Sequence, residues 1–161
     1  MINGNKAYTL EDEFFHQIDN LRKISIKIKR LKNWEEDSAR RDLTINSMSV
    51  DMEGKLYDYQ NGYEDLKNQV VRFCPDPQSK IEQDPYTILR WFKGISIFDN
   101  PRWLKKDRLI IEKNANRVSS VNDESRTKYL FNSLKKLPSW EKINKLMCST
   151  KVAQYCNISC N

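Results

Sequence analysis

The chain has 161 residues, of which 39% are hydrophobic and 31% charged, a balance that suits a folded domain with room for a helical extension more than a disordered chain. No apolar run approaches the roughly 20 residues of a membrane span, and Met1–Leu10 lacks the basic-then-apolar pattern of a secretory signal, so a cytoplasmic protein without membrane contact is expected. The net charge of +6 favours polyanionic partners, because lysine and arginine gain affinity by releasing counterions from phosphates.

Taken in chain order, the acidic run Glu11-Asp12-Glu13 reads as solvated surface that sits on no strand. Ile24, Ile26 and Ile28 then alternate with Ser25 and Lys27, which predicts a half-buried strand with a basic outer face. Arg22, Lys23, Lys27 and Lys29 belong to this first basic cluster. A charged connector is expected over Asn33–Arg41. Asn46–Asp51 alternates again, and Lys55–Tyr59 resumes the pattern, so a β-hairpin with Gly54 in its turn is predicted. Asn61-Gly62 opens a short helical turn, and Val70–Phe73 is one more short strand.

From Pro75 the character changes, and no strand periodicity is visible beyond it. Asp84-Pro85 is a helix opening, since aspartate caps free amides and proline at the first helical position loses no hydrogen bond. Ile88, Leu89, Phe92 and Ile95 then form one apolar face. Asn100-Pro101 repeats the opening, with a second basic cluster of Arg102, Lys105 and Lys106 behind it. Two further helices are expected, from about Asp123 to Leu137 and from Pro138-Ser139 through Met147. The fold class is therefore α+β: mixed structure over 1–74, then an all-helical part over 75–161. Of the four cysteines, Cys156 and Cys160 are spaced for one helix face. With His16 as the sole histidine and no C-x-x-C pair, free thiols and no metal site are expected.

The segment Arg40-Arg41-Asp42-Leu43-Thr44-Ile45-Asn46 concentrates chemistry where the connector becomes a strand. Guanidinium groups bind phosphate oxygens bidentately, and a nearby carboxylate and amide can bind a ribose hydroxyl. A surface salt-bridge cluster would use the same residue types.

R-R-D-L-T-I-N resembles the R-R-D-F-T-I-N signature of class II tRNA nucleotidyltransferases, the CCA-adding enzymes, and of bacterial poly(A) polymerases. The stretch from Ser47 to Leu66, then V-V-R-F-C-P-D-P, then I-E-Q-D-P-Y-T-I-L-R-W-F-K, and finally R-V-S-S-V-N-D-E-S-R resemble that family in the same order over roughly Asp37–Leu137. The resemblance implies a partial nucleotidyltransferase head over 1–74 and a helical neck with the start of a body over 75–161. It implies that Arg40, Arg41, Asp42 and Asn46 contact the triphosphate and ribose of ATP or CTP with Mg²⁺, and that Asp84 lies where the family reads the base. Two departures stand out. The family's E-D-x-x-R is Gln83-Asp84-Pro85-Tyr86-Thr87 here, and its G-G-x-V-R-D turn and D-x-D metal-binding pair have no counterpart in Met1–Lys32. Asp19 is a candidate stand-in for a third carboxylate, but one carboxylate cannot assemble a two-metal site.

Three readings follow. The first is a nucleotide- and RNA-binding module, not catalytic by itself, with tRNA-like RNA contacted through Arg22, Lys23, Lys27, Lys29, Arg102, Lys105 and Lys106. The second is one half of a split CCA-adding enzyme or poly(A) polymerase. The third is a regulatory protein that reuses the fold to bind a protein partner, for which exposed tryptophans among Trp34, Trp91, Trp103 and Trp140 would serve as anchors.

Overall fold

The computed structural model describes residues 8–18, 21–30, 33–120, 132–156 and 158–160, with side-chain detail from Asn33 onward. Strands β1 (Tyr8–Ile18) and β2 (Leu21–Arg30) form an antiparallel pair in which Leu10 lies opposite Ile28 and Asp12 opposite Ile26. The acidic run therefore sits on a strand, contrary to the expectation. The register shifts between Glu13 and His16, and a bulge there lets Phe14-Phe15 interrupt the alternation that would otherwise have announced β1. Asp19 lies outside the described residues.

The connector over Asn33–Arg41 is a helix, α1 (Trp34–Arg40). Asn33 caps it by accepting from the Glu36 amide at 2.8 Å, and Glu35, Glu36 and Asp37 place negative charge on its first turn. Thr44–Asn46 then forms a 3₁₀ turn that takes in the first residue of the strand expected over Asn46–Asp51, and the hairpin is shorter than expected, with β3 (Ser49–Val50) and β4 (Leu56–Tyr57). Its turn is as predicted, with Gly54 at φ +83° and Asp51 accepting from the amides of Glu53 and Lys55. Helix α2 (Gly62–Lys67) follows. A Cβ at Gly62 would lie 2.1 Å from the Thr44 carbonyl oxygen, so only glycine lets α2 pack on the 3₁₀ turn.

Strand β5 (Val70–Val71) pairs in parallel with β6 (Arg102–Trp103), a strand in the half expected to be all helical. The Arg102 amide donates to the Gln69 carbonyl at 2.8 Å, a pairing across 33 positions that local periodicity cannot reveal. Helix α5 (Lys105–Asn114) consequently starts later than Pro101 suggested. Pro75-Asp76-Pro77 also opens a helix, α3 (Pro77–Gln83), with Asp76 capping the Ser79 amide. Helix α4 (Tyr86–Ile95) runs as predicted, while the helix expected from about Asp123 is described only over 132–135. Helix α6 (Trp140–Ser149) matches its expectation. No helix among the described residues is long and apolar enough to cross a membrane.

One apolar cluster joins both parts of the chain. Leu43, Val71 and Phe73 pack with Ile88, Leu89, Trp91 and Phe92 of α4, Ile111 of α5, and Ile143 and Met147 of α6. Trp91 is its centre, stacked on Phe73 and edge-on to Phe92 and Trp103. Trp34, Trp103 and Trp140 are half-buried, so none of the four tryptophans projects as an interface anchor. One cysteine expectation is overturned: Cys148 and Cys160 form a disulfide, with Cα atoms 5.8 Å apart. Lys151, at φ +62°, reverses the chain after α6 and brings the C-terminal segment back along it. Cys74 and Cys156 remain thiols, and burial pushes Cys156 up to about 12.

Two outcomes follow from this packing. Gly62→Ala collides with a backbone oxygen that cannot move aside, so a loss of about 1–3 kcal/mol is expected from the shift in urea midpoint. Asp107, 1% exposed, accepts from the Phe73 amide at 3.2 Å, and burial raises its carboxyl above the usual value. A raised folded value means its stabilising proton is lost as pH rises through that value. Asp107→Asn, which keeps an acceptor without the charge, should therefore gain melting temperature relative to wild type as pH rises above the ordinary carboxylate value of about 4.

Candidate functional site

A cleft of about 840 Å³ lies between the end of α1 with its 3₁₀ turn and the α3–α4 corner. Arg40, Arg41 and Asn46 line one wall, Lys80, Gln83, Asp84, Thr87 and Arg90 line the other, and Asp42 joins the second by its bonds to Thr87 and Arg90. Five residues proposed as nucleotide ligands from sequence thus share one cavity, although Asp84 is 38 positions from Asn46.

The arginines are oriented from beneath by Asp37, a residue the sequence reading passed over. Its carboxylate is 1% exposed and accepts from Arg40 Nη2 at 3.1 Å and from Arg41 Nε and Nη2 at 3.1 and 2.7 Å. The side chains of Arg40 and Arg41 remain 34% and 41% exposed. One buried carboxylate thus fixes two guanidinium groups at the mouth of the cleft. The i, i+3 and i, i+4 spacing of Asp37 to the arginines would have found it, had Asn33–Arg41 been read as a capped helix.

The α4 wall is tied together by hydrogen bonds. Asp42 accepts from Thr87 Oγ1 at 3.0 Å and from Arg90 Nη1 at 2.6 Å. The second Nη of Arg90 donates to Asp84 at 2.7 Å, and Asp84 also accepts from the Tyr86 amide at 3.0 Å. Burial opposes the charge on Arg90, but Asp42 and Asp84 outweigh it and hold the guanidinium above its usual value. Asp42 therefore faces α4, and its carboxylate is engaged by residues 45 and 48 positions away. Asn46 is exposed at the cleft. Among the described residues no group of three or more His, Cys, Asp or Glu could hold a metal ion. Both cleft carboxylates on this wall are shared with Arg90, so the donor set does not fit a divalent ion held by protein alone.

The basic residues outside the cleft separate. Arg22, Lys23, Lys27 and Lys29 lie on β2, opposite Gln17, His16, Glu11 and Thr9. Arg102 donates through Nε and Nη2 to the Asn68 carbonyl in a second cleft, which Lys67 and Lys142 also line. Lys105 and Lys106 are exposed at the start of α5.

The architecture is that of a nucleotidyltransferase head segment followed by a helical region. A family profile described as the poly A polymerase head domain matches residues 9–72. The human mitochondrial CCA tRNA nucleotidyltransferase 1 is 38% identical over 117 residues, covering 71% of this chain and 26% of that protein. The zebrafish (Danio rerio) relative of the same description is 52% identical over 61 residues, 38% of this chain and 14% of its own length. Among solved structures, the Bacillus stearothermophilus CCA-adding enzyme in complex with CTP superposes with a TM-score of 0.69 at 21% identity, covering 80% of this chain and 32% of that one. The Thermotoga maritima CCA-adding enzyme complexed with tRNA gives 0.67 at 19% identity, covering 92% and 37%. The chain belongs to the class II tRNA nucleotidyltransferase family. It spans about a quarter of the length of the human relative.

Arg90→Met would strip two partly buried carboxylates of their shared cation, and a loss of about 2 kcal/mol in urea unfolding is expected. Arg90→Lys should recover only part of it, because a single ammonium cannot reproduce the fork that spans both aspartates.

Proposed function

We propose that this chain is a nucleotide- and RNA-binding module of the nucleotidyltransferase family that does not transfer nucleotides by itself. The observation that carries this reading is the Arg40–Arg41 pair, fixed by buried Asp37 at the mouth of a cleft large enough for a nucleoside triphosphate. The ligand proposed is ATP or CTP, with Mg²⁺ arriving on its phosphates. The proposed RNA is tRNA-like, contacted through the basic residues of β2 and of the β6–α5 corner. Two solved relatives support the ligand classes: one is described as a complex with CTP and another as a complex with tRNA. The 161 residues contain no D-x-D pair, so transfer would need carboxylates from elsewhere.

A second reading is favoured by a separate observation. Val50, Met52 and Leu56 of the hairpin and Tyr59, Tyr63 and Leu66 near α2 are all exposed. Such an apolar surface suits a split enzyme whose catalytic segment packs there from another polypeptide. Recovery of primer extension on adding a D-x-D-bearing partner would establish that reading.

Calorimetric titration with ATP and CTP, with and without Mg²⁺, tests the first. Arg41→Ala should weaken binding about tenfold to a hundredfold, the loss expected for a charge-assisted bidentate contact. Equal binding by both proteins would remove the cleft from consideration. Extension of a tRNA or oligo-RNA primer by the purified chain would overturn the non-catalytic part.

A further inference from the structure

The two walls of the cleft are tied by a residue that the arginine signature does not contain. Lys80 stands on α3, and its Nζ donates to the carbonyl of Ala39 at 2.7 Å and to the carbonyl of Arg41 at 2.6 Å. These acceptors lie 41 and 39 positions away and bracket Arg40. Ala39 and Arg40 are the last residues of α1, and Arg41 caps it. Carbonyls at a helix end lack partners inside the helix, and a cationic donor satisfies them more strongly than water does.

The clamp complements Asp37. The buried carboxylate fixes the guanidinium ends of Arg40 and Arg41, while Lys80 fixes the backbone from which they spring. A guanidinium that must meet phosphate oxygens bidentately needs both ends held, because an ångström of misplacement removes one of its two hydrogen bonds. Lys80 forms no ion pair with a carboxylate among the described residues, although Asp42 and Asp76 line the same cavity. Its charge is spent on the chain that carries the arginines.

We infer that Lys80 is a positioning residue that sets the Arg40–Arg41 pair for phosphate oxygens by clamping the end of α1 to α3. The inference rests on the nucleotide-binding reading of the cleft. Its consequence is energetic coupling: if Lys80 acts through the arginine pair, its removal costs less once Arg41 is gone.

The test is a double-mutant cycle on the full chain, with ATP titrated calorimetrically into wild type, Lys80→Met, Arg41→Ala and the double variant. Lys80→Met should weaken ATP binding about tenfold, and only about threefold in the Arg41→Ala background, where Arg40 alone remains to be positioned. Lys80→Arg, which keeps a charged donor of similar reach, should bind within about threefold of wild type. A general destabilisation would lower melting temperature without producing this coupling or the rescue. Additive losses, wild-type affinity in Lys80→Met, or no rescue by arginine would each overturn the role of Lys80 while leaving the nucleotide reading intact. Wild-type protein that binds no ATP would overturn that reading, and the assignment of Lys80 with it.

Discussion

Asp42 is the point at which the chain's local and long-range constraints meet. Its carboxylate holds Thr87 and Arg90 on α4, and its carbonyl accepts from the Cys74 amide at 2.9 Å. The next residue, Leu43, is 1% exposed and bridges to Phe73, so the same turn that presents the arginines is welded into the apolar core. Moving Asp42 would break a charge network and a core contact together. The position of Arg40 and Arg41 is therefore inherited from packing, and the cleft forms where the polar side of that junction meets solvent.

The cleft is asymmetric in a way that bears on what it can bind. Its arginine wall presents two partly exposed guanidinium groups fixed by one buried carboxylate. On its α4 wall Asp42, Asp84, Thr87 and Arg90 are already hydrogen-bonded to one another. A ligand gains most on the first wall, through oxygen-rich anionic groups, and must compete with existing bonds on the second. Thr87 stands where the family resemblance implies a base-reading arginine. Its hydroxyl is committed to Asp42, so the departure visible in sequence acquires a structural partner.

Much of the fold was legible in the sequence where local rules govern. The Asp84-Pro85 opening of α4, the Gly54 turn and the restart at Ser139 each depend on neighbouring residues, and each formed as read. The misreadings share a cause. β6 exists because it pairs with β5 across the chain, and β1 escapes a period-two search because its register shifts between Glu13 and His16. The Cys148–Cys160 bond likewise needs the reversal at Lys151, which spacing alone did not announce.

The sequence by itself determined the family, the α+β class and the arginine signature, because these are carried by residue identity and order. Tertiary structure decided what those residues do to one another. Asp37 emerged as the support of the arginines only once its helix was formed, and Lys80 became part of the cleft only when α3 docked against the end of α1. Asp42 changed from a free-standing ligand candidate into the partner of Arg90. Hydrogen bonds across about 40 positions are set by packing, and no local pattern encodes them.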